Sequence, residues 1–126
     1  MARGFSPTEV NTWLDSLLAA AWVKLHVGDP GVAGATNPSA GDSTRKQATM
    51  GAAAGGVKAM TGTAGPWTHG SASGAGTETL SDISVHSAST AGTFKLSAAL
   101  GTPQAWSGTN TFVLNVLSVS ATPLAA

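Results

Sequence analysis

The sequence predicts a mainly β protein, a small antiparallel β-sandwich or barrel with one amphipathic helix at its N-terminus. After Ala21 the hydrophobic period changes from about 3.6 residues to about two. Short alternating segments then recur about every ten to fifteen residues, separated by turn-rich segments. Because the 126 residues contain no internal repeat, we expect a single domain, with the helix over 7–20 and the β-sandwich over 22–121.

The helix is predicted from its start signal and its apolar stripe. Ser6 can be the N-cap, Pro7 occupies the first helical position, and Glu9 completes an S-x-x-E capping box. Apolar residues then share one face, at Val10, Trp13, Leu14, Leu17 and Leu18. The polar face carries Glu9, Thr12, Asp15 and Ser16. We expect the stripe, including Trp13, to pack against the sheet or against a neighbouring subunit.

Strands are predicted over seven segments: 22–27, 45–50, 57–60, 66–69, 81–87, 93–100 and 111–121. In the first, Val23, Leu25 and Val27 share the buried face, and His26 is on the opposite, outward face. In the last, the apolar phase changes between Val116 and Leu117. A bulge or a strand buried on both faces would explain this change, and either predicts a central strand.

The composition limits the classes of partner. Six basic residues balance six acidic ones, so we expect no nucleic-acid partner. No run approaches the roughly twenty apolar residues that cross a bilayer, so we expect no membrane partner. The absence of cysteine excludes disulfides and thiolate zinc sites. Since only 10% of the residues are charged, the surface is prone to associate, which favours a homo-oligomer or an assembly subunit.

The segment "KLHVGDPGVAGATNPSAGD" raises the question of catalysis. His26 and Asp29 could be the base and orienter of a hydrolase, but the chain has no G-x-S-x-G nucleophile motif. Turn chemistry explains Asp29, Pro30 and Gly31, with the Asp side chain accepting a bond from the local backbone. The segment also lacks the Lys and Ser/Thr of a phosphate-binding loop. We therefore predict no catalytic residues and no cofactor.

Histidines and tryptophans are the other candidate site residues. His26, His69 and His86 fall in three different elements without a metal-ligand spacing, so no metal site is expected. Trp22, Trp67 and Trp106 lie beside polar or turn residues. Tryptophans in such positions can pack in the core, anchor a subunit interface or stack on a glycan, and these alternatives stay open.

The motif L-H-x-x-D-P-G is present at Leu25, His26, Asp29, Pro30 and Gly31. It is followed by Asn37, Arg45 and the segment "LSDISVHSASTAGTFKLSAAL". Together these features resemble a family of small virion structural proteins of tailed bacteriophages, especially phages of actinobacteria. The family includes minor tail, tail-fibre-like and head decoration proteins.

The resemblance implies a non-enzymatic structural protein, made in the host cytoplasm and located in the virion. It would attach to the capsid or tail surface, with other virion proteins as its partners. The alternative is a carbohydrate-binding module that recognises host cell-wall glycan through exposed tryptophans at Trp22, Trp67 or Trp106.

Overall fold

The computed structural model describes residues 3–70, 76–121 and 124–125. It contains one helix, α1 (Pro7–Leu17), and eight strands: β1 (Ala21–His26), β2 (Lys46–Ala48), β3 (Val57–Ala59), β4 (Ala64–Thr68), β5 (Glu78–His86), β6 (Phe94–Trp106), β7 (Thr111–Leu114) and β8 (Ser118–Ser120). The paired strands are antiparallel. The predicted fold class, mainly β with an N-terminal helix, is confirmed.

The largest sheet has the strand order β2-β1-β5-β6. Val23 lies opposite Val85 and Leu25 opposite Ile83, and all four side chains are buried. Because alternate residues of a strand point to opposite sides, these four define the apolar inner face of the sheet. The opposite side, which carries His26, Ser84 and His86, is called the outer face below.

The second layer consists of two strand pairs, β4 with β7 and β3 with β8. Trp67 of β4 and Leu114 of β7 belong to the same hydrophobic cluster as Val23 and Leu25 of the inner face. Two packed layers with a shared core give a sandwich-like arrangement. Within the described ranges the strands do not close into a barrel.

Helix α1 begins as predicted but differs in three details. It ends at Leu17, three residues early, where the Leu18 amide donates to the Leu14 carbonyl at 3.1 Å. The prediction of a capping box is wrong, because the Ser6 side chain makes no capping hydrogen bond. Trp13 is 51% exposed rather than in the core, since Val10, Leu14 and Leu18 alone supply the buried stripe.

Several strands have bounds that differ from the predicted ones; β6, for example, runs to Trp106 instead of ending at residue 100. β1 stops at His26, so Val27 leaves the inner face and is exposed. The segment 111–121 divides into β7 and β8, which pair with different strands. Leu114 and Leu117 are both buried, which confirms the change of phase. The prediction of one central strand is wrong, because each half has a single partner strand among the described elements.

Candidate functional site

The L-H-x-x-D-P-G segment starts a long connection that we call the outer loop, residues 27–44, between β1 and β2. Asp29 Oδ1 accepts a hydrogen bond from the Gly31 amide at 2.8 Å, as the turn chemistry predicted. The Asn37 side chain donates to the Asp29 carbonyl at 3.1 Å. The amide of Val27 donates to the Asn37 carbonyl at 2.9 Å, which closes the base of this part of the loop. Val32, at the tip, is fully exposed.

His26 is fully buried rather than exposed on the outward face of β1. Its side chain is on the outer face, as alternation indicated, but the outer loop covers that face. His26 Nδ1 lies 2.8 Å from the Thr36 carbonyl oxygen, and Nε2 lies 2.7 Å from Ser84 Oγ. Ser84 Oγ is also 2.8 Å from His86 Nε2. Ser84 thus joins both histidines on the outer face.

One set of proton positions satisfies this network with neutral rings. His86 Nε2 donates to Ser84, Ser84 donates to His26 Nε2, and His26 Nδ1 donates to the Thr36 carbonyl. Burial lowers the pKa of His26. Burial and the nearby charges of Arg45 and Lys24 lower the pKa of His86 to about 4. Both rings are therefore neutral near neutral pH.

A serine next to a histidine base is also the arrangement of an activated nucleophile. Here Ser84 and His26 both have 0% exposure, so a substrate cannot reach the hydroxyl in this structure. The observed role of the network is to satisfy polar groups between the sheet and the loop.

Glu78, at the start of β5, holds the second half of the outer loop. Its Oε1 accepts hydrogen bonds from the Ser39 hydroxyl, the Gly41 amide (2.9 Å) and Trp106 Nε1 (2.9 Å), and its Oε2 accepts one from the Ala40 amide (3.1 Å). Burial alone would raise the pKa of Glu78, but these hydrogen bonds outweigh it and lower the pKa. The charged carboxylate therefore fastens three consecutive loop residues to the sheet.

Asp42 connects the end of the same loop to the second layer. Its Oδ1 accepts from the Thr44 amide at 3.0 Å, and its Oδ2 accepts from the Thr68 amide of β4 at 3.1 Å. Burial would raise the pKa of Asp42, but these bonds lower it. Trp67 Nε1 donates to the Thr44 carbonyl at 3.0 Å. The outer loop is thus bonded to both layers.

The three candidate tryptophans have different environments. Trp67 is 0% exposed and Trp106 is 2% exposed, so of the alternatives left open by the sequence these two tryptophans pack in the core. The indole N–H of each donates a hydrogen bond within the protein, that of Trp67 to the Thr44 carbonyl and that of Trp106 to the Glu78 carboxylate. Trp22 is half-buried on β1. Of these three rings, only that of Trp22 is accessible to a partner.

The exposed aromatic surface lies instead on the N-terminal helix and the segment just before it. Phe5 is 46% exposed and Trp13 is 51% exposed, and their rings meet edge to face with centroids 5.7 Å apart. We call this pair the aromatic edge. The opposite side of the helix is held by Asp15, which accepts from Lys58 Nζ at 2.7 Å and from the Ala53 amide at 2.8 Å. Asp15, predicted on the polar face of the helix, is thus half-exposed but bonded to residues of the segment 53–58.

No cluster of three or more His, Asp or Glu side chains suitable for a metal ion occurs within 3–70, 76–121 and 124–125. His69 lies apart from His26 and His86 and packs edge-on against Trp106, with ring centroids 5.2 Å apart. No helix in those ranges is long and apolar enough to cross a membrane.

The central residues of these networks, Ser84 and Glu78, were missed by the sequence reasoning. One local signal for Ser84 was present, because alternation places it on the same side of its strand as His86. Glu78 had no local signal, since three of its four donors lie nearly forty residues earlier in the chain.

The fold and these contacts describe a β-rich structural module, in which the buried polar residues hold a loop against a sheet. A family model described as "Podophage GP4 fiber I protein gp80" matches residues 11–122. Because the match covers most of the chain, the protein belongs to this family of phage fibre proteins. The predicted class, a structural protein of a bacteriophage virion, is confirmed. No curated protein matches the chain.

Proposed function

We propose that the chain is a non-enzymatic subunit of a fibre on the tail of a bacteriophage, bound to other virion proteins and to copies of itself. The observation that carries this proposal is the family match over residues 11–122. The family description names a fibre, which favours a tail or fibre position over capsid decoration. The weak charge of the chain, 10% of residues, is compatible with such an assembly.

The aromatic edge is the best attachment surface in the described residues. Phe5 and Trp13 are the only aromatic side chains more than 40% exposed there. Their mutual contact restricts both rings, so less conformational entropy is lost when a partner covers them. Aromatic side chains in such positions often dominate the binding energy of an interface.

The location is tested on purified particles of the phage that encodes the chain. We expect mass spectrometry to detect the protein in the particles and an antibody label to decorate the fibres in electron micrographs. Absence from the particles, or a label confined to the capsid, would contradict the proposal.

The attachment surface is tested by complementing a phage that lacks the gene with variant proteins. We expect Trp13→Ala to lower incorporation into particles by about tenfold or more, because an anchoring aromatic contributes about 2 kcal/mol or more to an interface. The matched control is Val32→Ala, an exposed apolar residue of the outer loop, which should be incorporated normally. Equal incorporation of both variants would exclude the aromatic edge as the attachment surface.

The alternative function, glycan recognition by tryptophans, has weaker support. Trp67 and Trp106 are buried and their indole N–H groups are already paired. Half-buried Trp22 is the one candidate of the three that could still contact a sugar. We therefore do not place a glycan site on these tryptophans.

A further inference from the structure

An open groove of about 530 Å³ lies where β1, the end of the outer loop and the turn between β5 and β6 meet. Lys24 and Arg45 line it, together with four hydroxyl side chains: Ser43, Thr44, Ser89 and Thr90. Its volume is in the range of pockets that hold small organic ligands and is larger than a single inorganic anion requires.

The groove holds two positive charges without an opposite charge. The ion pair found in the described part of the chain, Lys58 with Asp15, involves neither Lys24 nor Arg45. Asp82 is on the same face of β5 as Ser84, the strand partner of Lys24, but its carboxylate accepts from the Ser81 hydroxyl and makes no ion pair with Lys24. Half-burial of Lys24 without an ion-pair partner among the described residues is costly, and a bound anion would reduce that cost.

The two cations are held differently. Arg45 Nη1 donates to the carbonyls of Ala88 and Ala91, at 2.9 Å and 2.6 Å, so the guanidinium is fixed against the β5–β6 turn. Lys24 Nζ makes no hydrogen bond to any described residue, although the side chain is half-buried. Burial and the charge of Arg45 lower the pKa of Lys24, which reflects the same unbalanced charge.

The hydroxyls give the groove a second kind of donor. Thr44 Oγ1 is occupied by Asp42 Oδ1 at 2.6 Å, whereas Ser89 and Thr90 lie at the exposed edge of the groove. A fixed guanidinium, an unpaired ammonium and nearby hydroxyls together match an oxyanion that carries further polar groups. A saccharide with a carboxylate or phosphate has this chemistry and fits the volume.

We propose that the groove between Lys24 and Arg45 binds the anionic group of a saccharide, a sugar acid or a sugar phosphate. The site is separate from the aromatic edge, and it does not require that the chain is a fibre subunit. The two charged residues would hold the anion, and the hydroxyls of Ser89 and Thr90 would contact the sugar.

The test is an NMR titration of the intact chain with glucuronate, glucose 1-phosphate, inorganic phosphate and glucose. We expect one or both sugar anions to shift the amide signals of Lys24, Arg45, Ser89 and Thr90, and glucose to shift none of them. Lys24→Gln should weaken the binding about tenfold, since it removes the charged donor of a hydrogen bond to the anion. Lys24 makes no hydrogen bond, so this variant should fold, which thermal unfolding can check.

One control variant and one further test variant show whether the binding depends on the groove. Lys46→Gln removes the same charge from a residue outside the groove and should change the affinity less than about twofold. Arg45→Lys keeps the charge but loses the fixed guanidinium, and should weaken binding. The proposal is overturned if no sugar anion binds at about ten millimolar, if glucose binds equally well, or if Lys46→Gln and Lys24→Gln have equal effects. Binding of inorganic phosphate alone would overturn the assignment to a saccharide.

Discussion

The two faces of the four-stranded sheet are both covered, but by different means. The inner face buries Val23, Leu25, Ile83 and Val85 in the core that it shares with the second layer. The outer face buries His26, Ser84 and His86 beneath the outer loop, through hydrogen bonds. Apolar contacts are non-directional and depend on volume, whereas hydrogen bonds depend on the position and protonation of each group. Changes of volume should thus perturb the inner face, and changes of charge or pH the outer face.

The largest effect should come from the inner face. Leu25→Ala removes a fully buried side chain between two strands, and we expect it to lower the free energy of unfolding by about 3 kcal/mol. Denaturant unfolding measures this loss. Val32→Ala, which truncates a fully exposed residue, should change stability by less than about 0.5 kcal/mol. Similar losses for the two variants would mean that the inner face is not the main apolar core.

A smaller effect is expected when the outer loop loses its carboxylate anchor. Glu78→Gln replaces a charged acceptor of four hydrogen bonds, and should lower the free energy of unfolding by about 2 kcal/mol. Hydrogen exchange should become faster at the amides of Ala40 and Gly41 before it changes in β1 and β5.

The matched control for this carboxylate is Glu9→Gln on the exposed side of the helix. It should leave both stability and exchange nearly unchanged. Uniformly faster exchange in Glu78→Gln would show that the loop and the sheet open together, which contradicts a separate anchoring role.

The smallest effect is a dependence of stability on pH. His86 in the unfolded chain binds a proton near its ordinary pKa of 6.5, whereas folded His86 does so only near pH 4. The unfolded state therefore gains protons first, and stability falls as the pH is lowered from about 6.5 towards 4. We expect a loss of about 1 kcal/mol between about pH 7 and about pH 5.5, and denaturant midpoints at several pH values will measure it.

In that experiment the contribution of the histidines to the pH dependence of stability can be separated from that of the carboxylates. The pKa values of Glu78 and Asp42 are lowered, so their contribution is lost only when the pH falls below the ordinary carboxyl range. His86→Gln keeps a donor for Ser84 and should reduce the slope of the profile above about pH 5, and the slope that remains comes from His26, whose pKa burial also lowers. An unchanged profile in that variant would show that His86 is not the titrating group.

The inner face could be predicted from sequence, because alternation at Val23 and Leu25 is a local pattern. The change of phase near Val116 was also readable, although its cause, a break between two strand pairs, depends on partners elsewhere in the chain. Local alternation assigned His26 to the correct face. Its burial could not be predicted, because the covering loop is placed by long-range contacts such as those of Glu78.

The tip of the outer loop has a practical consequence for display of added sequence. Val32 is fully exposed to solvent. Gly31 and Gly34, on either side of it, have positive φ values of 75° and 66°, which glycine adopts readily in tight turns. The base below it is already closed by Asp29 and Asn37. Extra residues after Val32 therefore extend a loop whose ends are fixed, and each doubling of such a loop costs only about 0.6 kcal/mol. A short epitope inserted there would project from the surface and mark the position of every copy in an intact particle.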